Sequence, residues 1–387
     1  VRLLPFDHAV RNLGRRPRQT ALVGAAAFVV ALLALAAVGF VRGVDRALGQ
    51  SGDPRNVLVL GAGSEESVER SEVEAGLAGI LEASIPGLER RLGTAFVSPE
   101  IHLGLRVGPD EAGRLAMVRG VTDRAFLVHP RVRIAAGRLP RPGADEALVG
   151  RVLAAEVFGS DHPESVLGAT LPVDGSPLRV VGLLAAPGTV VESEVWAPLA
   201  DLQALTRRDR PSCVVLGLAD PGAFAEVEAL AFRRLDLEIV AMRETAYYAA
   251  QGRILGPVRS LGLATAALIA LAAVLGGLNT LFASFSGRTR ELAALQVLGF
   301  RRRAIVLSLV AESLVVHASG GLLAVGAALW ALDGLAVRFS TGSFGLALDG
   351  ITVAAGLGAT LAVGVLGALP PAFRALRIPL RDALRAT

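Results

Sequence analysis

The chain has 387 residues, 52% of them hydrophobic, with a mean hydropathy of +0.54, too apolar for an ordinary soluble domain. Its net charge is only +4 and all its basic residues are segregated arginines, so a pI near 10.3 does not mark a nucleic-acid binder. The single Cys213 excludes an intramolecular disulfide framework and reads as a small buried hydrophobe.

Residues 1–20 form a basic leader carrying Arg2, Arg11, Arg15, Arg16 and Arg18. Phe6, Val10 and Leu13 recur at helical spacing, which predicts an amphipathic helix in the plane of a membrane surface. Pro17 separates it from residues 21–41, a charge-free run. That run is long enough to cross a hydrocarbon core of about 30 Å at about 1.5 Å per residue. It exceeds the ~7–15 apolar residues of a secretory signal core, so it is read as a retained anchor.

From 42 to 257 no apolar run is long enough to span, and strand-like and helix-like segments alternate as in a folded α/β domain. Residues 56–60 predict a strand and 68–81 a helix. Residues 170–184 predict a hairpin turning at Asp174-Gly175. A strand over 214–218, a helix over 221–234 opened by Asp220 and Pro221, and a strand over 238–241 follow. A helix from Glu244 then leads to three further apolar spans, 261–285, 304–332 and 351–373. Residues 333–350 form a short connection, and 374–387 a basic tail.

Between the second and third spans lies the segment 286–303, read as a short amphipathic helix. Leu292, Leu295 and Leu298 fall three apart on one stripe, with Arg288, Arg290 and Glu291 beside it. Gly299 supplies a left-handed C-terminal cap, and Arg301, Arg302 and Arg303 follow. Such a helix is either a solvated connector or a coupling element docked on a cytoplasmic partner.

Arginine placement predicts the topology. The leader, the coupling segment and the tail hold 14 arginines against three acids, whereas residues 43–257 hold 22 arginines against 29 acids. Positive residues near span ends collect on the cytoplasmic side. Both termini and the segment 286–303 are therefore expected inside, and the large domain outside.

The run Arg288-Thr-Arg290-Glu291-Leu292-Ala-Ala-Leu295-Gln-Val-Leu298-Gly299, with Ala311-Glu312-Ser313 and Gly320-Gly321 in the next span, resembles FtsX/MacB-type ABC transporter permeases. The leader from Ala9 to Arg16 and the ending Pro379-Leu-Arg-Asp-Ala-Leu-Arg385 are similar to that family's terminal motifs. Ala136-Gly-Arg-Leu-Pro140, Asp145-Glu-Ala-Leu-Val149 and Val180-Val-Gly182 resemble its MacB-like extracytoplasmic domain. The resemblance implies an α-helical membrane protein with four transmembrane helices. Between helices 1 and 2 it implies a large mixed α/β extracytoplasmic domain, a porter-like lobe with a smaller lobe inserted at about 137–210.

It further implies a coupling helix, carried by Arg288, Arg290, Glu291, Leu292, Leu295, Leu298 and Gly299, seated on a separate ABC ATPase subunit. The expected setting is the bacterial inner membrane. A homodimer or heterodimer of permeases, a periplasmic adaptor and membrane lipid are the other expected partners, with no nucleic acid. Efflux or export driven by the ATPase is the leading reading. Lipoprotein release, or an FtsX-like scaffold that activates an extracytoplasmic partner, are the alternatives.

No cofactor is expected on this chain, ATP and Mg being bound by the partner subunit, because a chain without lysine cannot supply the phosphate-loop lysine. Gly61-Ala62-Gly63 follows a predicted strand, but Glu66 replaces the third glycine of a dinucleotide loop. The five histidines show no metal-ligand spacing, and the acids of the large domain read as a solvated surface. No catalytic residues are assigned. Glu312 and His317 are ionisable residues within a span. Glu312 is the functional candidate, with partner packing or pairing to the inner-face arginines both open, while His317 reads as structural.

Overall fold

The computed structural model describes residues 14, 17–109, 113–159, 163–254, 256–286, 289–332, 335–339 and 342–377. It divides into an α/β unit of residues 43–256 with 336–345, and a helical unit drawn from 1–42, 257–335 and 346–387. The first helix, α1 (Pro17–Ser51), begins on a proline, whose fixed φ and missing N–H suit the first helical position. The division between the units falls within α1, after Arg42.

The α/β unit opens with β1 (Asn56–Gly61), α2 (Leu77–Ser84), the small hairpin β2 (Arg90–Arg91) and β3 (Thr94–Ala95), and the long β4 (Val97–Val107). There follow β5 (Arg114–Val121), α3 (Ala125–Val128), β6 (Arg133–Gly137), β7 (Glu146–Gly150) and α4 (Arg151–Phe158). Then come β8 (Thr170–Val173), β9 (Ser176–Ala185), β10 (Val195–Pro198) and α5 (Leu199–Thr206). The unit ends with β11 (Cys213–Gly217), α6 (Phe224–Arg233), β12 (Ile239–Arg243) and α7 (Glu244–Ile254).

β4 is shared between two halves. Its first residues, Val97 to Glu100, pair antiparallel with β11, which continues through β1 to β12. Its remaining residues, Ile101 to Val107, pair antiparallel with β5. From β5 the ladder runs through β10, β7 and β9 to β8, and Val173 of β8 returns to Val107 of β4, closing a ring of six strands. β6 adds to β9 outside the ring. Ile101, Val118, Val149, Leu171, Val180 and Val195 fill the ring with side chains from alternate positions.

The ring takes in β4 from Ile101 and β5, both of which precede the 137–210 segment expected for the inserted lobe. A closed ring removes exposed edges only if β4 and β5 take part, and no local signal marks one strand as serving two lobes. The Asp174-Gly175 turn has φ of 48° and 81°, the two left-handed residues of the turn that matches strand twist. The helix expected over 68–81 is broken into a turn at Val68–Arg70 and α2. Ser71 Oγ accepts from Gly61 N (2.9 Å) and Val73 N donates to Pro211 O (2.9 Å), holding the chain extended between them.

The remaining helices are α8 (Gly256–Ser286), α9 (Thr289–Val297), α10 (Arg302–Ala331) and α11 (Gly350–Arg377). Where a plain connection was expected before α11, β13 (Ala336–Phe339) and β14 (Gly342–Gly345) form a hairpin belonging to the α/β unit. α1, α8, α10 and α11 are the four described helices long and apolar enough to cross a membrane.

Candidate functional site

α9 is held by its own sequence and by the helices around it. Glu291 sits in its first turn, where the helix dipole favours an acid. Gly299 has φ +89°, Phe300 N donates to Leu295 O (3.2 Å) and Gly299 N donates to Gln296 O (3.0 Å). These two bonds form a Schellman cap, which stops the helix at the glycine. Leu292 (2% exposed) and Ala293 are buried, Leu292 in a cluster with Leu281 of α8, Ile305 and Leu309 of α10, and Ala368 and Ala372 of α11. Leu295 and Phe300 pack at the edge of that cluster.

Leu298 is 69% exposed and Val297 62%, and Arg290 is exposed. The single leucine stripe expected from the sequence is thus divided. A step of three residues turns about 60° short of a full circle at 3.6 residues per turn, so Leu298 lies about 120° around from Leu292. One face is anchored in the helical unit and another is open. Glu291 is half-buried, and Arg288 lies outside the described residues.

Within the helical unit, Glu312 is half-buried, and its neighbour Ser313 makes a polar contact between α10 and α11. Ser313 Oγ donates to Gly364 O (2.9 Å), and buried His317 donates from Nδ1 to Ser313 O (2.9 Å). A Cβ at Gly364 would lie 2.8 Å from the His317 ring, so only glycine admits it there. Close packing extends to α1. A Cβ at Gly320 would meet Gly24 O at 2.6 Å, and one at Gly356 would meet Leu35 at 2.7 Å. Beyond the apolar runs, Arg42 binds Asp349 through Nε (2.9 and 3.0 Å) and Nη2 (2.5 Å). Asp349 also caps α11 by accepting from Thr352 N (3.0 Å), and the Arg42 contact holds its carboxyl well below the usual range. Sequence reasoning singled out Glu312 and missed Ser313. The available signal was the i, i+4 spacing of Ser313 and His317, which puts both on one face.

The α/β unit contains a buried ionic knot that the sequence did not suggest. The acids expected on a solvated surface include Glu100, Glu194 and Glu244, all buried, and two of the scattered histidines converge on Glu100. Glu100 accepts from His102 Nε2 (2.9 Å), Arg119 Nη1 (3.1 Å) and His129 Nε2 (3.1 Å). Arg119 Nη2 donates to Glu194 (2.8 Å), and Trp196 Nε1 donates to the other oxygen of Glu194 (2.7 Å). His129 Nδ1 lies 3.8 Å from Glu244, which also accepts from Asn56 Nδ2 (2.9 Å) and Asp53 N (2.8 Å).

Burial raises the Glu100 carboxyl, but His129, His102 and Arg119 outweigh it and hold it well below the usual carboxylate range. Burial pulls His129 down, yet Glu100 and then Glu244 lift it above its ordinary value. For His102 burial and the Arg119 charge prevail and lower it. Burial dominates at Glu244 and raises it. The knot thus favours the charged form of His129 and disfavours that of His102. Among the described residues no cluster of His, Cys, Asp and Glu is arranged to hold a metal ion.

The MacB-like periplasmic core domain family matches residues 21–231, and the FtsX-like permease C-terminal family matches 263–380. The macrolide export ATP-binding/permease protein MacB of Bdellovibrio bacteriovorus is 25% identical over 62% of this chain, and the chain spans 38% of that protein's length. The uncharacterized ABC transporter permease YvrN of Bacillus subtilis is 23% identical, over 98% of this chain and 97% of its own. Among solved structures, the periplasmic region of MacB from Actinobacillus actinomycetemcomitans aligns with 52% of this chain and 94% of its own. Its TM-score is 0.39 and its identity 13%. The first family match alone takes in more than half of the 387 residues, and the chain belongs to the FtsX/MacB-type ABC transporter permeases, a multi-pass membrane family with a periplasmic domain.

Proposed function

We propose that this chain is the transmembrane subunit of an ABC exporter. In this reading α9 seats on a separate ATPase subunit that binds ATP and Mg. The observation that carries it is the division of α9 into an anchored face, Leu292 and Ala293, and an open face, Val297 and Leu298 beside Arg290. An apolar face rimmed by a cation suits a groove on another protein, and the buried face would pass any push to α8, α10 and α11. Nucleotide hydrolysis on another subunit is supported by the lack of lysine and by the near-complete alignment with a permease, YvrN. Both termini and α9 lie in the cytoplasm, as the arginine distribution favours, and the α/β unit lies outside the inner membrane. The subunit works as a dimer of permeases, with a periplasmic adaptor receiving the exported substrate.

The test is ATP hydrolysis by the complex of this chain with its co-purifying ATPase, reconstituted in liposomes. Leu298→Asp should weaken docking about tenfold or more, because the new carboxylate must be desolvated in the groove. Leu295→Pro should uncouple the complex by breaking α9. Hydrolysis that stays normal and substrate-responsive in both variants would overturn the assignment.

A further inference from the structure

The α/β unit holds a cleft of about 320 Å³, open at its mouth, which no part of the export reading uses. Phe126 of α3, Leu139 and Pro140 from the loop after β6, and Pro198 and Leu199 at the start of α5 wall it. Prolines on two sides fix its shape, and its size falls in the range of small-molecule sites. One buried group in it is unmet: Thr122 Oγ1 is shielded from solvent and finds no hydrogen-bond partner among the described residues. The one charged lining residue is the exposed Asp123.

We infer that this cleft binds an apolar small molecule carrying a hydrogen-bond donor, and that its occupancy is felt at the ionic knot. The donor is specified by the Asp123 carboxylate, which only accepts, while the Thr122 hydroxyl can accept as well as donate. The apolar body is specified by the aromatic, leucine and proline walls. Phe126 supplies the link to the knot. Its ring packs on that of Trp196, centroids 5.5 Å apart. Trp196 bonds Glu194, Glu194 bonds Arg119, and Arg119 bonds Glu100 on β4. Glu100 is the last residue of β4 paired with β11, so the chain of contacts ends where the strand passes from one lobe to the other. This inference does not depend on the coupling role of α9.

Trp196 is one of two tryptophans, so in a Trp330→Phe background it reports alone. The full chain in lipid nanodiscs is titrated with N-phenyl-1-naphthylamine, an apolar probe with a single N–H donor, and Trp196 emission is followed. A saturable change is expected. The midpoint should weaken about tenfold or more in Ala200→Phe, which fills the cleft from an exposed position. Thr122→Val keeps the shape and removes the acceptor, and should weaken it about threefold or more. If Ala200→Phe melts early, Thr122→Val carries the test. A change that rises linearly with the probe, as partition into lipid gives, would overturn the inference. So would a saturable change that neither variant alters.

Discussion

The two units bury polar groups by different rules. The α/β unit buries whole charges, Glu100, Arg119, Glu194 and Glu244, and balances them against one another. The helical unit buries neutral groups and satisfies them on nearby carbonyls: Ser313 on Gly364, Thr352 on Ala347 and Thr360 on Gly356. Its Arg42–Asp349 ion pair stands at the ends of the apolar runs and is partly exposed. The difference follows from the solvent each unit folds in. Within hydrocarbon a polar atom must find its partner inside the bundle, and a short hydrogen bond to the backbone does this without separating charge. A domain in water can assemble opposite charges while its core closes, provided every one is paired.

The comparison is tested most severely at Glu100. Glu100→Ala leaves Arg119 and His129 buried without their shared carboxylate and is expected to destabilise the α/β unit by about 3–5 kcal/mol. Thermal unfolding of the full chain in detergent, followed at Trp196 in the Trp330→Phe background, measures it. A loss below about 1 kcal/mol would mean that the knot is not balanced as described.

A smaller effect is expected where the helical unit relies on close packing. Gly364→Leu forces a side chain into the His317 ring and should cost about 1–3 kcal/mol. A leucine at Gly276 of α8, where a Cβ would meet no atom of the described residues within 4 Å, should stay within about 0.5 kcal/mol. Melting of the two variants side by side decides this. Equal losses would remove the distinction between the two helices.

The smallest expected effect is a pH dependence confined to the charged knot. His129 has a raised folded-state pKa, so the stability it contributes is complete below its unfolded value of about 6.5. It is lost as pH rises through the folded value. Glu100 has a lowered pKa, so its contribution is present above about 4.3 and is lost only as pH falls through the folded value. The stability gap between the wild type and His129→Gln should therefore narrow as pH is raised from 6 toward 9. A gap that widens over that interval would reverse the direction of the His129 shift.

Much of the helical unit was legible because a span is a one-dimensional signal. The charge-free run of 21–41 and the apolar runs after 260 mark their helices without knowledge of any partner. The end of α9 was equally local, since Gly299 provides the left-handed residue that its cap needs. The candidate site was less legible. Leu292 and Leu298 look equivalent in a pattern of threes, yet one is locked among α8, α10 and α11 and the other is open. Glu312 drew attention as a charge, and nothing local marked the bond from Ser313 to Gly364 of α11.

The sequence by itself determined where apolar runs of spanning length lie, where α9 stops, and to which family the chain is similar, because each depends on residues near one another. Only the tertiary structure decided which surfaces are used. Ala272-Gly276-Thr280 and Gly356-Thr360-Gly364 have the same small-residue spacing. Gly356 meets Leu35 and Gly364 meets His317, while the most apolar stretch of α8 has no buried residue among those described. The same holds for Glu100, whose partners come from residues 102, 119 and 129, and for β4, whose two ends pair with strands far apart in the sequence. A side chain's type constrains what it can bind. Its partner is chosen by long-range closure of the chain, which satisfies buried groups collectively and leaves no local trace.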